Sequence, residues 1–126
     1  MSLLTQEQTE RLTELMDERY ERELEEINAI AARTKDERRQ QALASRSADS
    51  VDSVLAHMVR ASDYAVVQQD IQDVRDIIAA RKRMADGVYG ICIDCDQGIR
   101  YVRLLAHPTA KRCIDCQREH EKRKQA

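Results

Sequence analysis

Aromatic side chains are nearly missing from this chain: it has four Tyr and no Phe or Trp in 126 residues. A large globular core is hard to fill without them, so a narrow helical seam with solvated outer faces is the better fit. Glycine and proline are almost as scarce, three and one, and none of them falls between Met1 and Asp86. That argues against strands and loops over two thirds of the chain. No apolar run approaches the roughly 18 residues that a membrane span requires. The opening MSLLTQEQTERL has no basic region followed by an apolar core, so it does not read as a secretory signal and a cytoplasmic protein is expected. The formal net charge of −2 supplies no overall drive toward nucleic acid or an acidic membrane.

What the chain has in abundance is charge on helical spacing: 35% of its residues are Asp, Glu, Lys or Arg. Thr5 is placed to cap a first helix, with Gln8 three residues on as its reciprocal partner. Leu12, Met16, Tyr20, Leu24, Ile27 and Ala31 then recur at steps of four and three, one apolar stripe on a helix that runs to about Leu43. The charged runs between them read as a wet helix face with some i,i+4 pairs. The segment SRSADS, Ser45 to Ser50, is rich in residues that favour turns and caps, and it marks a hairpin tip near 45–52. Asp49 or Ser50 would cap the second helix. Its stripe runs through Val51, Leu55, Met58, Ser62 and Ala65, then shifts phase to Val67, Ile71, Val74 and Ile78. Gly87 is the residue type that ends a helix in a left-handed turn. The expected architecture is mainly α: a long antiparallel helical hairpin (coiled coil) over 1–86, about 50 to 60 Å long at 1.5 Å per residue, then a small module over 87–126 ending in a short helix.

All four cysteines sit in that second module, as two Cys-x-x-Cys pairs separated by seventeen residues: Cys92, Cys95, Cys113 and Cys116. Two such pairs suit one tetrahedral zinc ion, since each presents two sulfurs from one tight turn. Two disulfides are the alternative in a secreted chain; without an export signal, reduced thiols and metal are favoured. A catalytic zinc keeps an open position, whereas four thiolates close the shell, so the role expected is structural. His107 and His120 flank the site, but with four cysteines available neither is needed as a ligand, and His107, before Pro108, reads as a surface residue. No nucleophile–base pair or phosphate loop is visible, and an enzyme is not expected. Folding of so small a module should depend on its metal.

The pattern Cys92-x-x-Cys95-x-x-x-Ile99-x-x-x-Arg103-x-x-x-x-Pro108-x-x-x-x-Cys113-x-x-Cys116 resembles the zinc finger of the DksA/TraR family, departing from it at Ile93, where the family has an acidic residue or Ser. The resemblance extends back over the hairpin. It implies a bacterial transcription regulator that binds RNA polymerase rather than DNA, inserting a helical tip through the secondary channel toward the active site. The family's tip carries Asp-x-x-Asp-x-Ala, and the matching residues are Asp49 and Asp52, with Val54 in the third place. Gln69, Asp76, His107 and Gln117 fall where alarmone-responsive members use basic residues. A polyphosphate needs cationic or N–H donors, so the resemblance argues against binding of guanosine tetraphosphate here. The chain also lacks much of the family's N-terminal extension, and a monomer is expected.

Two bland readings stand beside these. Aspartates at a helix start satisfy free N–H groups and the helix dipole without any partner. Arg100, Arg103, Lys111 and Arg112, continued by Arg118, Lys122, Arg123 and Lys124, form a basic face that suits either a protein partner or nucleic acid, the latter making the chain a zinc-dependent nucleic-acid-binding protein. Only Tyr89 and Tyr101 lie near to stack on bases, which favours protein docking. Arg103 is then a candidate for packing against the helices or for polymerase contact.

Overall fold

A computed structural model describes residues 2–44 and 61–125. Asp49 and Asp52 lie outside them. The fold is mainly α, and the described residues form α1 (Gln6–Ala44), α2 (Ala61–Ala85), α3 (Tyr101–Ala106) and α4 (Ile114–Gln125). Among the described residues the only extended pairing outside helices is a single antiparallel bridge, Ile91 to Gly98, and no helix is long and apolar enough to cross a membrane. The chain divides into two compact units, Met1–Tyr20 with Arg75–Ala126, and Glu21–Val74.

Local chemistry starts and stops the long helices. The Gln8 N–H donates to Thr5 Oγ1 at 3.1 Å and the Thr5 N–H to Gln8 Oε1 at 3.0 Å, the reciprocal cap expected from the sequence. At the other end Gly87, at φ 76°, donates to the Met84 carbonyl at 3.1 Å while Val88 donates to that of Arg83 at 2.9 Å. Those two bonds are the Schellman arrangement, which the left-handed glycine permits.

In the first unit, α1 and α2 run antiparallel, with Leu12 and Met16 buried against Ile77 and Ala80. Thr13 Oγ1 lies 3.7 Å from Met84 Sδ, and Arg81 pairs with Asp17 at 2.6 Å while covering the Tyr20 ring at 4.4 Å. The same core continues into the C-terminal module through Tyr89, Cys92, Ile99 and Leu104. Leu4 packs on it too, so the N-terminal segment is tied down beside Gly90.

In the second unit, Arg33 pairs with Asp63 at 2.6 Å, and the buried positions are Glu23, Ile30 and Asp70. The stripe read from the sequence departs from this. Ala31 and Ala65 are exposed, as is Ile78 in the first unit, and two acids are buried that no apolar pattern could reveal. Helix geometry accounts for the difference. Each step of four overshoots a full turn by about 40°, so a chain of such steps winds away from the face where it began. Glu23 and Ile30, eleven and eighteen positions after Leu12, return to that face.

Candidate metal centre

Each cysteine pair is delivered by tight backbone geometry. Before the first pair, Gly90 turns at φ 79°. The Cys92 N–H then donates to the Gln97 carbonyl at 2.8 Å and Asp96 donates back to Cys92 at 3.0 Å, while Ile99 donates to Gly90 at 2.7 Å. Asp96 itself is left-handed, at φ 62°, a conformation that Asp tolerates better than most side chains. The second pair brackets the start of α4, where the Gln117 N–H donates to the Cys113 carbonyl at 2.9 Å.

Five contacts lock the two pairs to each other and to the helices. The Ile93 N–H donates to the Lys111 carbonyl at 2.9 Å. Arg112 Nε donates to Asp94 Oδ2 at 2.8 Å, a pair that joins the two knuckles directly. Arg103 Nε donates to the Arg112 carbonyl at 3.0 Å, so its guanidinium braces the residue just before Cys113. Tyr89, buried, donates its hydroxyl to the Pro108 carbonyl at 2.7 Å, and Arg83 Nη2 donates from α2 to the Thr109 carbonyl at 3.2 Å. Sequence reasoning had no signal for these contacts, because their acceptors are backbone carbonyls or lie far along the chain.

The four sulfurs converge. All lie within 4.8 Å of one another, and Cys95 Sγ stands 3.8 Å from Cys113 Sγ. A tetrahedron with sulfurs about 2.3 Å from its centre has edges of about 3.8 Å, whereas a disulfide requires about 2.05 Å. The thiols are free, and Cys92 is buried in the core. His107 and His120 do not join the cluster.

The electrostatics of the thiols call for a cation. Burial opposes ionisation of Cys92, yet hydrogen bonds from the backbone at Cys113, Cys95 and Asp94 outweigh it and bring its thiol down to about 6. Cys116 is pushed the other way, first by its hydrogen bond with Cys113, then by burial and by Cys92 and Cys95. Thiols this close cannot all ionise alone, and a divalent metal supplies the missing charge. The donor set fits a closed zinc site with no place for water or substrate.

Of the residues expected near an alarmone, Asp76 and Gln117 line a cleft of about 220 Å³ together with Arg83 and Lys111. His107 is exposed and is not among its walls. Asp76 lies close enough to Arg83 to favour that guanidinium's charge, so one of the cleft's two cations is partly answered from within.

Comparison with known proteins agrees with this geometry. Residues 87–122 match the prokaryotic dksA/traR C4-type zinc finger. The chain is 32% identical over 76 residues to the RNA polymerase-binding transcription factor DksA of two Caulobacter vibrioides strains, covering 60% of this chain and 54% of the relative. It thus spans about half the length of the curated relatives it matches. The structure of transcription factor DksA2 from Pseudomonas aeruginosa is similar at a TM-score of 0.70 and 25% identity, over 96% of this chain and 88% of that one. The metal is a structural zinc. A four-sulfur cluster on a finger that matches the dksA/traR C4 type, in a chain whose fold is similar to that of DksA2, supports the DksA/TraR family for this chain.

Proposed function

We propose that this chain is a transcription regulator that binds RNA polymerase directly, through the secondary channel, and modulates initiation with an acidic tip at Asp49 and Asp52. The observation that carries the reading is the finger itself, matched over 87–122, in a chain similar to relatives named as RNA polymerase-binding transcription factors. The hairpin, 1–86, is the working part and the finger, 87–126, its anchor. Cys92, Cys95, Cys113 and Cys116 hold one zinc, and Arg103 supports the second knuckle. The protein acts as a monomer in the cytoplasm, is no enzyme, and has no sequence-specific DNA target. Asp76 disfavours a polyphosphate in the cleft beside Arg83, so guanosine tetraphosphate binds weakly if at all.

The test compares capture by core RNA polymerase with a gel shift on free duplex DNA. Binding to polymerase and not to DNA is the expected outcome. Retention on DNA at moderate salt, with no polymerase captured, would instead support a zinc-dependent nucleic-acid-binding protein. For the tip, Asp52→Asn is assayed in transcription from a stable-RNA promoter, where an effect as large as that of the unaltered protein removes the carboxylate from the mechanism.

A further inference from the structure

The finger is short of apolar residues, yet it leaves several of the largest outside. Val102 is 77% exposed, Ile114 49% and Leu105 42%. Leu104, their neighbour on α3, is fully buried, so α3 is apolar on its outer face as well as its inner one. A solvated helix of a zinc module has no structural need for that outer face, and exposed apolar patches of this kind mark contacts.

Val102 and Ile114 face a common cleft of about 850 Å³, whose walls also include Arg100, Arg103 and Asp115. Three of the cysteines line it, but the space is far larger than an ion needs, against roughly 30 Å³ for a water, and it falls in the range of ligand-sized sites. The two arginines differ in what they do. Arg103 has its Nε fixed on the Arg112 carbonyl. Arg100 precedes α3, makes no side-chain cap bond there, and forms no ion pair among the described residues. It is an exposed cation beside an apolar floor.

Charge selects the occupant. Residues 87–126 carry eight Lys or Arg against five Asp or Glu, so the module is basic in an acidic protein. With Arg100 and Arg103 against the single acid Asp115 in its walls, an apolar floor with a guanidinium in no ion pair at its rim is complementary to an apolar side chain flanked by a carboxylate. Nucleic acid fits poorly, because the floor is aliphatic and offers no ring for a base to stack on. We infer that the cleft between α3 and the start of α4 docks an acidic amphipathic segment of RNA polymerase, with Val102 and Ile114 seating the apolar residue and Arg100 taking the carboxylate. This rests on the polymerase reading above, and it assigns the finger a contact surface of its own in addition to its anchoring role.

The experiment measures affinity of the full-length, zinc-loaded chain for core RNA polymerase, with Val102→Asp, Arg100→Glu and Arg100→Lys. All three substitutions are at exposed positions outside the core, and zinc content and thermal melting check that the finger is intact. The inference expects Val102→Asp and Arg100→Glu each to weaken binding about tenfold or more, and Arg100→Lys by less than about threefold, as for apolar and arginine anchors at an interface. The Arg100→Glu loss should shrink as salt is raised. If both variants bind as tightly as the unaltered chain, the cleft is not the contact while the polymerase reading stands. If the unaltered chain does not bind polymerase, both fall. Self-association of the free chain that Val102→Asp abolishes, or duplex DNA displacing polymerase from the finger, would also overturn the assignment.

Discussion

The Tyr89 hydroxyl reaches the Pro108 carbonyl at 2.7 Å, closing nineteen residues of the finger into a loop that contains the first cysteine pair. Tyr89 is 5% exposed, and burial pushes its phenol up to about 12, with Arg83 opposing that rise. The ring fills the core beside Cys92 while the hydroxyl holds the spacer in place, so one residue joins packing to loop closure.

Tyr89→Phe separates these roles. The ring stays and the bond is lost, leaving a buried carbonyl without its donor, which costs about 1 kcal/mol. The expected result is a melting temperature a few degrees lower, with zinc stoichiometry unchanged. Tyr89→Ala should cost about 3 kcal/mol or more, since it also empties the core. Thermal denaturation of the zinc-loaded chain checks both, and equal losses in the two variants would contradict the assignment.

Zinc removal should unfold the finger and spare the helix pair. The protein is expected to hold about one zinc per chain, released by a strong chelator with loss of ordered amide signals over 87–125. Cys92→Ser should be the most damaging single change of the four cysteines, because Cys92 alone is fully buried in the hydrophobic core. Metal analysis with amide exchange reads this directly. A finger that keeps its amide protection without metal would remove zinc from the folding argument.

How much of this was legible in the sequence follows from how local each feature is. Thr5 and Gln8, and Gly87 with its Schellman bonds, were readable because cap chemistry lies within a few residues. The four cysteines were readable for the same reason, as two short pairs. The face of the helices in the second unit was not. The apolar pattern there puts Leu24 and Ile27 only half in the seam, while Glu23 and Asp70 are buried in it as deeply as Ile30. A two-helix seam is only a few side chains wide, so a drift of some tens of degrees exchanges buried and exposed positions.

That buried pair of acids makes the second unit sensitive to pH. Asp70 is 7% exposed and its Oδ2 has no hydrogen-bond partner. Burial, then a hydrogen bond and repulsion from Glu26, then Asp73, raise its carboxyl from 3.8 to about 6. A carboxyl that is harder to ionise when folded destabilises the fold above its folded pKa and ceases to do so as it protonates. Stability should therefore rise as pH falls from 7 through about 6, until the unfolded chain protonates as well near 4. With water close to a two-helix seam, the gain is about 1 kcal/mol. Asp70→Asn should be more stable than the unaltered chain at pH 7.5 and should flatten the slope between pH 7 and 5. Melting curves across that range test it, and an unchanged slope in Asp70→Asn would place the dependence elsewhere.

Gly90 and Leu4 offer a final test, of whether the N-terminal segment supports the finger. Gly87 and Gly90 share a positive φ, 76° and 79°, but a Cβ at Gly87 meets nothing within 4 Å, whereas one at Gly90 would lie 2.8 Å from Leu4 Cδ1 and 2.9 Å from Ser2 Oγ. Alanine at either position carries the backbone penalty of the left-handed region, about 1 kcal/mol. Gly90→Ala adds a displacement of Leu4 from the core it packs against. Gly90→Ala should thus be the more destabilising, by about 1 kcal/mol. Leu4→Ala alone loses part of a half-buried contact, and in its background the excess of Gly90→Ala over Gly87→Ala should shrink, because the Leu4 side chain that was displaced is gone and only the approach to Ser2 Oγ is left. Denaturant melts of the zinc-loaded variants give the cycle. Additive losses would mean that Leu4 and Gly90 act independently, and that the segment before α1 lies on the finger without helping to hold it.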